Sequence, residues 1–395
     1  MIRAVIMTIA SLAWFGAARA EDAAPRAAEP YRSVRTLQAL QDRIARGSLD
    51  AHNAQSALLK RLGEDFVAAD PAVWKDPRNA RAAVTFLLSG GDPKVIRELR
   101  SRNLLGIDAA MLDGALAYVE GRPDEARARL GGIDGRSLPG TLGAEITLAQ
   151  SALLARSDVK GTIERLDQVR LMMPGTLIEE AALRREIFLV GQADDFDKFE
   201  KLATQYFRRF RHSIYAGNFR QRFALSVARF SFAQQAERFW RLAAVLDHLD
   251  RASQRALYVL ITRTALLRGK TEMAALAADR LIRLTDEGSP ERARADFYRA
   301  AARLVTDGYD QALGDLQNAR KDGLPNTDSE LLGAALELGR NLRKPPVLAA
   351  APDEAADATE TAVRPRIDFT PSAAALDRAN KLLDSSKQQL QDPKR

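Results

Sequence analysis

The sequence contains no cysteine and only three histidines among 395 residues. The lack of cysteine excludes disulfide bonds, a thiol nucleophile and any metal site built on thiolates. His52, His212 and His248 stand far apart, so no pair has the spacing of a histidine metal motif. A Walker A loop, G-x-G-x-x-G, G-x-S-x-G and H-E-x-x-H are also absent. We therefore expect a protein that is not an enzyme and binds no cofactor or metal.

Long apolar runs are also missing, apart from one short stretch near the start of the sequence. Arg3 precedes an apolar run over residues 4–15, and Ala18-Arg19-Ala20 has the A-x-A form of a cleavage site. The run is too short for a membrane anchor, which needs about 20 apolar residues. We predict a signal peptide at residues 1–20, cleaved after Ala20, and export to a bacterial periplasm. Its removal takes away Arg3 and Arg19 and lowers the net charge from +7 to +5.

β-Branched residues are sparse, while alanine, leucine, arginine and glutamate are frequent, which is typical of an all-α protein. The tetrapeptide PGTL occurs at Pro139–Leu142 and again at Pro174–Leu177, each time after a helix-turn-helix pattern. Proline and glycine end the preceding helix, because proline has no N–H donor. Thr176 and Glu179 then have the spacing of a capping box, which predicts the start of the next helix. The two copies therefore mark repeated helical hairpins.

Similar markers recur along the chain, with hairpin junctions predicted near residues 139, 174, 212, 251, 290 and 325. Their spacing of 35–39 residues is close to the 34-residue period of tetratricopeptide repeats, although no copy has the full consensus. We predict an all-α fold in which a TPR-like solenoid of degenerate helical hairpins occupies residues 89–343. Residues 21–88 would form a lead and an N-terminal helical cap over its first apolar edge.

The C-terminal part of the chain differs in composition from the repeats. Residues 344–370 are rich in alanine, proline and acidic residues, which predicts a flexible linker. Residues 371–391 carry Leu376, Leu383 and Leu390 near heptad spacing, which predicts an amphipathic helix. This helix would either dock on the solenoid or bind a partner in a helix-in-groove mode.

Neither aspartate nor glutamate occurs between Lys201 and Ala236, a segment rich in arginine and aromatic residues. On one interpretation, the aromatics form the core and the arginines pair with acids of neighbouring repeats. On the other, the segment presents a basic surface, backed by aromatics, to an acidic protein segment or an anionic cell-wall polymer. Export argues against nucleic acid as the partner. The second interpretation predicts the following partner-binding residues: Arg208, Arg209, Arg211, Arg220, Arg222, Tyr206 and Tyr215.

Three stretches of the chain resemble the MotC family. They are PYRSVRTLQALQDRIARG at residues 30–47, VWKDPRNARAAVTFLLSGGDP at residues 73–93, and MMPGTLIEEAALRREIFLV at residues 172–190 with the QYFRRFRHSIYAGNF that follows. The resemblance weakens beyond about residue 345. It implies a non-enzymatic periplasmic protein of the flagellar motor that acts beside the stator. It also implies association with the periplasmic part of MotB, the stator subunit anchored on peptidoglycan.

Two other functions remain open from the sequence. The chain could be a general periplasmic scaffold for a cell-wall polymer or another envelope complex, without a role in motility. It could also be an envelope enzyme acting on peptidoglycan, since carboxylate pairs such as Glu179-Glu180 can hydrolyse glycosidic bonds. The lack of a second, differently composed domain argues against the enzyme.

Overall fold

The computed structural model describes residues 29–231, 235–306, 308–319 and 324–342. Within these ranges all regular elements are helical, which confirms the predicted all-α class. No helix in the same ranges is long and apolar enough to cross a membrane. The signal peptide at residues 1–20, the linker at 344–370 and the helix at 371–391 lie outside the described residues and stay predictions.

The described chain forms α-helices joined by short turns, with additional 3-10 turns at Pro71–Lys75 and Gly135–Ser137. The α-helices are α1 (Pro30–Ala45), α2 (Leu49–Ala68), α3 (Pro77–Leu88), α4 (Pro93–Ser101), α5 (Ala109–Val119), α6 (Pro123–Leu130), α7 (Gly140–Leu154), α8 (Val159–Met172), α9 (Leu177–Gln192), α10 (Phe196–Arg209), α11 (Ala216–Val227), α12 (Ala236–Leu246), α13 (Arg251–Leu267), α14 (Thr271–Leu284), α15 (Pro290–Arg303), α16 (Tyr309–Gln317) and α17 (Asn326–Leu342).

The repeat predicted from PGTL corresponds to hairpins in the structure. Helices at the predicted junctions begin at Gly140, Leu177, Ala216, Arg251, Pro290 and Asn326, with 35–39 residues between successive starts. From α7 onward, close packing connects each helix mainly with the next helix or the next but one, which is the contact pattern of a helical solenoid. The tetratricopeptide type of the repeat stays a prediction.

Local chemistry explains why the hairpins begin at these residues. Gly140 and Gly175 adopt positive φ angles of 59° and 82°, which glycine accepts without steric cost after the preceding proline. The Thr176 hydroxyl accepts a hydrogen bond from the Glu179 amide at 3.3 Å, as expected for the N-cap. The Glu179 carboxylate returns to the Gly175 amide, one residue before the N-cap, so the predicted capping box is shifted by one residue. Ser289 caps α15 in the same way.

The first helix contacts parts of the chain that are distant in sequence. Helix α1 packs against α3 and also against α9. The turn after α1 lies on the loop that joins α10 to α11, where the Ile214 amide approaches the Ile44 carbonyl oxygen at 3.4 Å. Gly47 adopts a φ of 99° in this turn, directly against the His212 backbone. We call α1, α2 and the turn between them the N-terminal bracket, because the end of α1 and this turn contact the acid-free segment. The cap at residues 21–88 stays a prediction.

Candidate partner-binding surface

The acid-free segment forms the second half of α10, a loop and α11, and most of its aromatic side chains are core residues. Phe207, Phe219 and Phe223 are fully buried, and the Phe207 and Phe223 ring centroids lie 5.1 Å apart. They belong to a hydrophobic core that continues from α9 to α17. The first interpretation of this segment therefore holds for these rings, which pack hairpin against hairpin.

Tyr206 requires a correction, because its side chain is fully buried and cannot contact a partner on the surface. Its phenol donates a hydrogen bond to Glu180 Oε1 at 3.0 Å, and the Ser213 hydroxyl donates to Glu180 Oε2 at 2.8 Å. Burial raises the pKa of the Glu180 carboxyl, while these donors and Arg184 partly oppose the shift. Tyr206 thus joins α10 to α9 within the core.

Arg209 has a structural partner. Its Nη1 lies 2.5 Å from Glu179 Oε1 and 2.7 Å from Oε2, and the Gln205 amide donates to the same carboxylate at 2.6 Å. Glu179 is fully buried, and a buried carboxylate without a cationic partner is strongly destabilising. Arg209 therefore joins α10 to the preceding helix, as the first interpretation expects, although its side chain stays 45% exposed.

The other four predicted arginines form no ion pair with an acid among the described residues. Arg208, Arg211 and Arg222 are exposed, and Arg220 is half-buried. Arg220 Nη1 donates to the Arg211 carbonyl oxygen at 3.3 Å, so these two lie together at the loop after α10. Arg208 and Arg209 line a separate depression at the end of α10. The predicted arginines are thus distributed over several places around α10 and α11.

Arg222 lies in a groove of about 380 Å³, which we call the α9 groove. Residues of α7, α8, α9 and α11 line this groove. Its lining residues are Ser151, Ala152, Ala155, Thr162, Leu166, Ala181, Arg184, Arg185, Phe188, Leu189, Gln192, Asn218, Phe219 and Arg222. This lining contains three arginines and no acidic residue.

Arg184 and Arg185 were not among the partner-binding residues predicted from the sequence. The signal that could have identified Arg184 is helical spacing, because residues four apart lie on one face of a helix. Arg184, Phe188 and Gln192 follow this spacing in α9 and all line the groove. Neither arginine lies in an acid-free run, since Glu179, Glu180 and Glu186 occur in the same helix.

The three guanidinium groups of the α9 groove have few partners within the described residues. Arg222 lies over the Phe188 ring at 5.0 Å, and Arg185 Nη1 donates to the Leu148 carbonyl oxygen at 3.3 Å. Arg184 lies over the Tyr215 ring at 4.7 Å, and its buried Nε has no hydrogen-bond partner. The groove therefore carries positive charge that neighbouring acids neutralise only weakly.

Tyr215 is half-buried and also faces a second, larger cleft. This cleft of about 980 Å³ is lined mainly by α2 and by residues around the start of α4. The Tyr215 ring meets the His52 ring edge-on, with the centroids 6.0 Å apart. Tyr215 therefore connects the N-terminal bracket with Arg184 of the α9 groove.

The carboxylates that could support hydrolysis have structural partners instead. Glu179 and Glu180 are both fully buried and are held by Arg209, Tyr206 and Ser213. A glycosidase needs its two carboxyl groups at the bond that is cleaved, so this pair is not placed for such a reaction. Among the described residues, no group of histidine and acidic side chains could hold a metal ion.

Comparison with known proteins identifies the family. The family model described as "Chemotaxis protein MotC" matches residues 1–395. The chain is also 30% identical over 321 residues to a protein named "Chemotaxis protein MotC" from Rhizobium meliloti strain 1021, covering 80% of this chain and 73% of that protein. No solved structure matches the chain. A match over all residues, in a chain whose described part is helical throughout, shows that this protein belongs to the MotC family of chemotaxis proteins.

Proposed function

We propose that this chain is an exported, non-enzymatic protein of the flagellar motor that binds the periplasmic part of the stator subunit MotB and supports rotation. The observation that carries the proposal is the family match over residues 1–395, since this family is described as one of chemotaxis proteins. The signal-peptide pattern at residues 1–20 supports a periplasmic location, and the expected neighbour there is the peptidoglycan that anchors the stator.

The helical hairpins support a role in protein binding, because stacked repeats present extended surfaces to partners. Around α10 and α11, Arg208, Arg211, Arg220 and Arg222 have no acidic partner among the described residues and are at least partly exposed. Arginine is also enriched among the residues that dominate binding energy at interfaces. We assign these four arginines and Tyr215 to the partner-binding surface, whereas Tyr206 belongs to the core and Arg209 is bound by Glu179.

Capture from a cross-linked envelope fraction tests the proposal. The full chain with a C-terminal affinity tag is expressed in its own bacterium, cross-linked and purified under denaturing conditions. We expect MotB among the captured proteins, at a level well above that captured by an unrelated exported protein of similar charge. Recovery of a different envelope complex without stator proteins would instead support a scaffold that has no role in motility.

A further inference from the structure

We propose that the α9 groove binds an extended acidic segment of a protein partner, with carboxylates at Arg185 and Arg222 and an apolar side chain against Phe188 and Leu189. The proposed function enters only in naming the stator subunit as a protein that could supply this segment. The proposed binding itself is argued from the residues that line the groove.

At two other contacts between hairpins, an arginine has a close acidic partner: Arg170 Nε lies 2.7 Å from Glu186, and Arg280 Nη2 lies 2.6 Å from Asp247. In the α9 groove, Arg185 and Arg222 form no ion pair with an acid of the described residues. Apart from the Arg185 hydrogen bond to the Leu148 carbonyl oxygen, the N–H groups of these two arginines can therefore bind carboxylates from outside.

Glu180, the acid that pairs with Arg184, compensates for the charge of the groove only weakly. Glu180 Oε1 lies 4.0 Å from Arg184 Nε, beyond hydrogen-bond distance. Its oxygens already accept hydrogen bonds from Tyr206 and Ser213. Because Glu180 is fully buried and does not line the groove, an acidic ligand would meet only cationic, amide, hydroxyl and apolar groups there.

The remaining lining favours a peptide rather than a polymer of sugars. Ala152, Ala155 and Ala181 leave space above the helices, and Phe188 and Leu189 provide an apolar wall. The side-chain amides of Gln192 and Asn218 also line the groove, and an amide can both donate to and accept from a peptide backbone. A volume of about 380 Å³ is at the small end of ligand pockets, which fits a few residues of a larger partner.

A peptide-binding experiment tests the groove directly. The probe is a fluorescent hexapeptide of alternating glutamate and leucine, measured by anisotropy with the full chain at low and physiological salt. We expect it to bind at least tenfold more tightly than a peptide with glutamine in place of glutamate. Replacing its leucines by alanine should also weaken binding, and salt should weaken binding of the acidic peptide because the contact is electrostatic.

Variants locate the binding site. We expect the Arg185→Gln/Arg222→Gln double variant to lose at least tenfold in affinity for the acidic peptide. The matched control, Arg35→Gln/Arg268→Gln, removes the same charge at two exposed positions outside the groove and should bind like the wild type. Single substitutions, Arg222→Glu and Arg185→Glu, serve if the double variant does not fold as judged by circular dichroism.

Two results would overturn the assignment. One is equal peptide binding by the wild type and the groove variants. The other is that inorganic polyphosphate displaces the peptide and that replacing the peptide's leucines by alanine leaves its affinity unchanged. A site that binds only counter-ions would behave in this way, because it needs no apolar side chain. The outcome is separable from that of the proposed function: failure to capture MotB with intact peptide binding would refute the motor partner alone. Capture of MotB by groove variants that bind no peptide would refute the groove as its docking site.

Discussion

Glu145 gives the sharpest quantitative prediction about the fold. This carboxyl group of α7 is buried against the end of α3, where the Ser89 hydroxyl donates to its Oε1 at 2.8 Å. Among the described residues, its Oε2 has no hydrogen-bond partner of normal geometry and no cation pairs with the carboxyl group, so Ser89 and Thr85 only partly oppose the effect of burial. Burial without a cation raises the pKa of Glu145 to about 8. We therefore expect Glu145→Gln to change how stability depends on pH.

The direction in which the free energy of unfolding changes with pH depends on the number of protons that each state binds. Between about pH 4.5 and pH 8 the folded chain keeps the Glu145 proton, whereas the unfolded chain has released it. The unfolded state therefore binds fewer protons, and the free energy of unfolding falls as the pH rises through this window. Each pKa unit corresponds to roughly 1.4 kcal/mol, so the full shift corresponds to about 3 to 5 kcal/mol. Below this window Glu145 contributes no pH dependence.

Urea denaturation followed by circular dichroism measures this effect. At about pH 5 we expect Glu145→Gln to lie within about 1 kcal/mol of the wild type, because the amide oxygen can still accept from Ser89. At about pH 8 the variant should be more stable than the wild type by several kcal/mol. Glu164→Gln, at an exposed position on α8, is the control and should follow the wild type throughout. If the free energy of unfolding had the same pH dependence in Glu145→Gln and in the wild type, the raised pKa of Glu145 would be refuted.

Two further predictions concern contacts between hairpins. Arg209→Ala leaves the buried Glu179 without its cation, so we expect the free energy of unfolding to fall by about 1 to 3 kcal/mol, less than for a fully buried pair because the arginine is half-exposed. Arg208→Ala should lower it by less than about 0.5 kcal/mol. Equal melting temperatures of the two variants would contradict the structural role of Arg209. Gly47→Ala places a Cβ at positive φ against a backbone carbonyl of the loop after α10. We expect it to lower the free energy of unfolding by at least about 1 kcal/mol and to accelerate hydrogen exchange in the turn after α1 and in the loop after α10. Gly90→Ala, at a similar φ but without backbone contact, is its control, and equal exchange in the two variants would refute the bracket.

The hairpin junctions could be predicted because their signals are local. Proline, glycine and capping side chains act within a few residues, so junctions predicted near 251 and 290 agree with helices beginning at Arg251 and Pro290. The weakest prediction, near 212, lies four residues before α11 begins at Ala216. There the N-cap is Tyr215, which makes no side-chain cap, so the sequence carries no clear signal for the start of this helix.

The roles of the individual arginines could not be predicted, because they depend on contacts between separate hairpins. Arg208 and Arg209 are adjacent in sequence, yet only Arg209 points toward Glu179 of α9. Which of the two arginines reaches Glu179 depends on how α10 is rotated about its own axis relative to α9, and amino-acid composition does not specify this rotation. The docking of α1 against α9 and the loop after α10 is also a long-range contact without a local signal. For the same reason, the sequence predicted Arg222 but not that Arg185 shares its groove.

The most direct measurement of the central claim is swimming by a strain that lacks this chain. Flagella are counted by electron microscopy, and rotation is measured on tethered cells, with the wild-type gene on a plasmid as the complementation control. A MotC-family motor protein predicts normally assembled flagella with absent or impaired rotation, restored by the wild-type gene. Normal rotation and normal swimming of the deletion strain would contradict the account.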